Sequence, residues 1–216
     1  IKVESSNIRV FSDEAYKNAG LEVTDNMSDC DVLLGVKEVP IDALIPNKKY
    51  FFFSHTIKKQ PYNRDLLKAI LEKNIELYDH ETIVKENGMR LIGFGRYAGI
   101  VGAYNGFRAI GLKNKTFNLP KAETLDSQKE LISELKKITL PKNFKILLTG
   151  NGKVAYGAKE MLDAIEIKEV SVNEYLENTY DEPVYCLADV LDYNKRKDGK
   201  VIDNFDFYNH PENYES

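Results

Sequence analysis

Two glycines two positions apart, Gly150 and Gly152, open the run Gly150-Asn151-Gly152-Lys153-Val154-Ala-Tyr-Gly157. An apolar stretch, Phe144 to Thr149, precedes them, and a helical pattern follows to about Ile165. At such a junction glycine lets the chain turn sharply out of a strand and lets a phosphate lie against bare backbone. The helix start adds N–H donors and partial positive charge. The third glycine comes two places later than in G-x-G-x-x-G, so the motif rests on its strand–loop–helix–strand context. Gly150, Asn151, Gly152, Lys153 and Val154 are therefore the expected cofactor-binding residues, and Gly157 is expected to relieve helix–strand packing. The plainer alternative is a glycine turn in an ordinary α/β unit. A second strand is expected from Glu169 to Val172. Asn173 follows it, where a dinucleotide enzyme usually carries an acid for the ribose 2′-hydroxyl. A neutral residue there tolerates a 2′-phosphate, so NADP(H) is favoured, while Glu174, one step later, keeps NAD(H) open.

Ionisable residues also stand at the ends of apolar runs. Lys37 ends one in Gly35-Val-Lys-Glu-Val-Pro40, and His55 ends another in Phe52-Phe-Ser-His-Thr56. Strand C-termini in α/β sheets face the ligand crevice. A lysine there binds a carboxylate or, partly desolvated, exchanges a proton; a histidine suits acid–base work. Each is equally readable as a strand-end residue without a role. His80 and Glu81 follow a third strand, and Glu81 can tune a neighbouring lysine or histidine through its charge. The three histidines share no i, i+4 spacing, which argues against zinc. No G-x-S-x-G element offers a hydrolase nucleophile.

These residues need an α/β frame. Apolar runs alternate with helical patterns: strands at Asp31–Val36, Tyr50–Ser54, Ile75–Tyr78 and Arg90–Phe94, with a helix from Asn63, its expected cap, to about Lys73. An Asn87-Gly88 turn suggests a hairpin. Gly99, Gly102 and Gly106 fall on one face of a helix from Tyr97 to Leu112, where close packing must offset their helix cost. A further helix runs from Ser127 to Ile138, and a last strand from Pro183 to Ala188. The expected fold is two Rossmann-like parallel-sheet domains, 1–141 and an incomplete 142–216, with an interdomain cleft. The net charge of −4 offers no basic footprint for nucleic acid. No apolar run approaches the roughly 18 residues that span a bilayer. The start has no signal-peptide shape, and Cys30 and Cys186 read as reduced, buried thiols of a cytoplasmic protein.

Together these segments resemble a known family. Cys30-Asp-Val-Leu-Leu-Gly-Val-Lys-Glu-Val-Pro40 is similar to the lysine-bearing strand of the alanine dehydrogenase/transhydrogenase N-terminal domain. Tyr50-Phe-Phe-Phe-Ser-His-Thr-Ile-Lys-Lys-Gln-Pro-Tyr-Asn63 resembles the saccharopine dehydrogenase / lysine–ketoglutarate reductase family more closely. Gly88 to Gly102 and Phe207 to Ser216 fit the same group, so the resemblance covers almost the whole chain. It implies condensation of lysine with 2-oxoglutarate and NADPH-dependent reduction to saccharopine, or the NAD-linked reverse. It implies Lys37 and His55 as catalytic residues, Glu81 as the acid that tunes them, and Arg90 near the substrate carboxylates. Against the family pattern, the N-terminal strand and helix that carry a further substrate-binding arginine are expected to be missing. Only two or three of roughly six nucleotide-domain strands are expected. On this reading the chain is part of a longer enzyme and inactive alone.

Two other readings stand beside this one. Alanine dehydrogenase shares the chemistry but lacks the Ser-His-Thr-Ile-Lys-Lys-Gln-Pro run. A non-catalytic nucleotide-binding scaffold would bind cofactor without turnover. The expected partners are small molecules, with homo-oligomerisation left open.

Overall fold

The computed structural model describes residues 1–216. The chain forms two compact units, Ile1–Gly93 and Phe94–Ser216. The first opens with β1 (Lys2–Glu4), α1 (Asp13–Asn18) and β2 (Glu22–Thr24), in which β1 and β2 pair in parallel. The N-terminal strand and helix expected to be missing are thus present. Ser12 caps α1 by accepting from the Ala15 N–H, and Asp13 and Glu14 complement its dipole.

A three-stranded parallel sheet follows: β3 (Val32–Lys37), β4 (Lys49–Phe53) and β5 (Glu76–Asp79), side by side in chain order. Helix α2 (Arg64–Glu72) makes the β4-to-β5 crossover and turns Leu66, Ala69 and Ile70 onto Leu44, Tyr50 and Phe52. That i, i+3, i+4 spacing is the apolar stripe of a sheet-packed helix. Asn63 does not cap α2 through its side chain, which is engaged elsewhere. Strand β3 is less buried than its apolar run suggests, because Val32, Leu34 and Val36 point outward from an edge strand and are exposed. No strand forms over Arg90–Phe94. Instead the Asn87-Gly88 turn folds the chain back through one antiparallel bridge, Val84 to Arg90.

The second unit comprises α3 (Gly95–Asn114), α4 (Gln128–Leu135), β6 (Lys145–Thr149), α5 (Lys153–Ala164), β7 (Lys168–Glu169), α6 (Val172–Glu177) and β8 (Val184–Ala188). β9 (Lys195–Arg196), α7 (Asn204–Asn209) and β10 (Tyr214–Glu215) complete it. The polar C-terminal stretch is therefore folded. β9 and β10 pair antiparallel, and Arg196 binds Asp198 and Asp206 while Tyr214 donates to Asp206.

The expected domain boundary near Pro141 lies instead between Gly93 and Phe94. The reason is packing: Ile100, Tyr104 and Phe107 of α3 and Leu131 and Leu135 of α4 share one core with Met161, Leu162 and Tyr185. Helices α3 and α5 meet backbone to backbone. A Cβ on Gly99 would lie 1.9 Å from the Val154 carbonyl oxygen, and one on Gly157 would lie 2.0 Å from that of Arg96. Gly157 thus relieves helix–helix rather than helix–strand contact. Of the three glycines expected to share a packed face, only Gly99 is used so; Gly102 and Gly106 face open space. Arg96 adds an ion pair with Glu160 across the same contact.

A side chain at Gly99 forces the two helices apart. Gly99→Val is expected to lower unfolding stability by about 3 kcal/mol, read from the urea midpoint. Gly102→Ala, free of contacts, is expected to raise it by about 0.5–1 kcal/mol. Equal effects from the two substitutions would contradict this packing.

Candidate functional site

In a parallel sheet all strand C-termini share one edge. Here Phe53 pairs with Lys37 and Phe52 with Asp79, so the residues that follow are delivered together. Lys37 closes β3, His55 lies two residues past β4, and Glu81 two past β5. Lys37 Nζ stands 3.3 Å from His55 Nε2, and His55 Nδ1 stands 2.9 Å from Glu81 Oε2. Arg90, returned by its turn, places a guanidinium nitrogen 3.4 Å from Glu81 Oε1. All four residues singled out in this unit therefore converge. His80 instead ties β5 to β3 through the Gly35 carbonyl, 3.2 Å away.

Two basic residues escaped the sequence reading. Lys58 Nζ lies 3.2 Å from His55 Nδ1 and 3.4 Å from Glu81 Oε1. It sits three residues after His55 in the short turn Thr56–Lys58, a spacing that could have flagged it. Arg9 precedes α1, pairs with Asp13, and packs its guanidinium 4.5 Å from the Tyr16 ring centroid, leaving a buried Nε without a hydrogen-bond partner. The Ser12-Asp13-Glu14 helix start was its legible signal.

The tautomer follows from the neighbours. A carboxylate only accepts, so Nδ1 carries the ring proton and donates it in a hydrogen bond to Glu81, and the Nε2 lone pair is left facing Lys37. The arrangement is base, orienting acid and proton partner in one line. Glu81 is 4% exposed. Burial pushes its carboxyl up, but hydrogen bonds and charge from His55 and Lys58 outweigh this and leave it below its ordinary value of 4.5. Lys58 and Arg90 both face this one carboxylate, and Lys37 faces the other side of the His55 ring, so basic side chains outnumber the acid and the site favours an anionic ligand. His55 itself has φ 57°, ψ 7°, a left-handed conformation that costs a non-glycine residue about 1 kcal/mol.

In the second unit, Gly150 has φ +97°, which only glycine adopts without strain, and its N–H donates to the Ala188 carbonyl. Gly152 is the N-cap of α5 and has no side chain to occupy the first turn, with open space where a Cβ would stand. Lys153 and Val154 begin α5, and Asn151 accepts a hydrogen bond from the Tyr156 hydroxyl. This cradle fits a pyrophosphate. The ribose position does not follow the expected pattern. β8 lies between β6 and β7, so the end of the second strand is not beside the glycine loop. β7 stops at Glu169, and Asn173 belongs to α6, where Ser171 and Glu174 form a capping box. Glu174 is held there rather than free to swing. Cys186 is a buried free thiol, and Cys30, also free, is only half-buried.

Because Glu81 is held below its ordinary value in the fold, its contribution to stability is present above the carboxylate range and is lost as pH falls through the folded value. Wild type is expected to exceed Glu81→Gln by about 1–3 kcal/mol at neutral pH. The difference should shrink once pH falls below about 4. Denaturant titrations across pH check this, and a pH-independent difference would refute it.

Residues 1–101 match the family described as alanine dehydrogenase/PNT, N-terminal domain. The mitochondrial alpha-aminoadipic semialdehyde synthase of Bos taurus is 31% identical over 99% of this chain and 25% of its own length. Its Arabidopsis thaliana counterpart is 29% identical over 99% of this chain and 23% of its own length. The saccharopine dehydrogenase (NAD(+), L-lysine-forming) of Yarrowia lipolytica is 29% identical over 62% of this chain and 39% of its own. The chain thus spans about a quarter of the length of the semialdehyde synthases. A solved L-alanine dehydrogenase superposes with a TM-score of 0.49 and 13% identity over 81% of this chain and 48% of that one, a likeness too distant to argue from. Residues 1–101 thus carry the alanine dehydrogenase/PNT N-terminal domain, and the chain as a whole is similar to alpha-aminoadipic semialdehyde synthases and lysine-forming saccharopine dehydrogenases.

Proposed function

We propose that this chain is the catalytic part of an NAD(P)-dependent amino-acid oxidoreductase that interconverts lysine plus 2-oxoglutarate with saccharopine. The observation that carries the reading is the Lys37–His55–Glu81 line at the shared edge of β3, β4 and β5. An amine, a keto acid and their imine adduct carry several carboxylates and pass protons at each step. The line answers both needs. Lys58 and Arg90 supply cations for carboxylates, and the His55–Lys37 pair holds and moves the proton on the amine and carbinol groups. Glu81 fixes the orientation of the ring through Nδ1.

A nicotinamide dinucleotide supplies hydride when bound. Gly150, Asn151, Gly152, Lys153 and Val154 would hold its pyrophosphate. NADPH and the reductive direction are the preferred reading. The Tyr50–Asn63 segment, which resembles the reductase more than the dehydrogenase, supports it. With Asn173 placed in α6, the phosphate preference draws no support from that residue.

In the full-length protein, His55→Gln is expected to lower kcat with lysine and 2-oxoglutarate by about 10²–10⁴-fold and to alter the pH–rate profile. Unchanged turnover would refute the assignment. A Cβ added at Gly152 meets no atom within 4 Å, so Gly152→Val places its branch where the phosphate would lie. It is expected to weaken NADPH binding in fluorescence titration while stability falls by no more than the loss of a favourable N-cap, about 1 kcal/mol. Undiminished affinity would remove the glycine loop from the site.

A further inference from the structure

We propose that the buried Asp79 carboxylate and the Asn63 amide form a clamp that holds His55 in its left-handed conformation, making both residues positioning residues for the Lys37–His55–Glu81 line. The inference rests on reading that line as the reacting centre.

Asp79 ends β5 and is 7% exposed. Its Oδ1 accepts from the backbone N–H of Ser54 at 3.4 Å and from that of Glu81 at 2.9 Å, while Oδ2 accepts from the Ser54 hydroxyl. One carboxylate thus grips the residue before His55 and the residue that orients its ring. Ser54 is fully buried and passes the hold onward, because its hydroxyl lies 2.8 Å from that of Thr56, the residue after His55. Asn63, 6% exposed, completes the clamp by donating Nδ2 to the His55 carbonyl at 3.3 Å.

The groups donating to Asp79 are all neutral, so it accepts at fixed angles rather than balancing a charge. A left-handed non-glycine residue relaxes unless its surroundings over-determine it. Relaxation of His55 would turn its ring away from the groups that face it: Lys37 at Nε2, and Glu81 and Lys58 at Nδ1. Strand pairing alone delivers His55 to the sheet edge, and the clamp sets where its ring points.

The test uses the full-length protein labelled with 15N-histidine, the His55 signal being assigned by its absence in His55→Gln. In wild type the Nδ1 proton held by Glu81 is expected to be protected from solvent exchange. Asp79→Ala should lose that protection, lower kcat/KM by about a hundredfold mainly through kcat, and change the pH–rate profile. Asp79→Asn keeps an oxygen for the two backbone N–H groups and offers its amide to the Ser54 hydroxyl, so it should restore both readouts. Retention of the protected proton and of the pH–rate profile in Asp79→Ala would overturn the proposal, as would failure of Asp79→Asn to restore them. Should Asp79→Ala not fold, Asn63→Ala is read by the same criteria. Absence of turnover in wild type would overturn the proposed reaction, while the proton measurement would still decide the clamp.

Discussion

The site depends on one buried carboxylate. Glu81 is almost wholly removed from water, and a carboxylate there is costly unless it is paired and hydrogen-bonded. His55, Lys58 and Arg90 meet that need from three directions. The same contacts select the tautomer of His55 and so leave Nε2 open to Lys37. Pairing holds the carboxylate ionised, and its charge in turn gathers cations at the place where an anionic substrate would need them.

Parallel pairing makes this convergence possible. Lys37, His55 and Glu81 lie 18 and 26 residues apart along the chain. They meet because β3, β4 and β5 run side by side in one direction, so each crossover returns the chain to the same edge. An antiparallel arrangement would send alternate strand ends to opposite edges. The second unit uses the same rule, since β6 and β8 end together and the Gly150 N–H donates to the Ala188 carbonyl. There the helix behind the loop is held by backbone contact, with Gly99 and Gly157 admitting α3 and α5 to each other's carbonyls.

Much of this was legible in the residues. The apolar runs located β3, β4, β5, β6 and β8 to within a residue or two, and the glycine loop announced its strand and helix. Position at strand ends made Lys37, His55 and Glu81 candidates, and the family resemblance, rather than position, assigned them catalytic roles. Where the reading failed, local pattern was insufficient. The Ser171–Glu174 capping box turned an expected strand end into a helix start, because a cap satisfies two orphan N–H groups that a strand edge would leave unpaired. The boundary at Pro141 followed polarity, while the core followed contact.

The sequence by itself determined the α/β class, the order of most elements, the family resemblance and the residues able to carry chemistry, since these rest on periodicity, turn chemistry and local motif. Only the tertiary structure decided which of those residues meet. Lys58 and Asp79 look like an ordinary surface lysine and strand-end acid until the fold closes. Asn63 reads as a helix cap, yet its amide serves the His55 carbonyl eight residues earlier. Gly102 and Gly106 look as indispensable as Gly99, yet only Gly99 has a carbonyl against it. Each distinction depends on what approaches from a distant part of the chain, which neither spacing nor composition encodes.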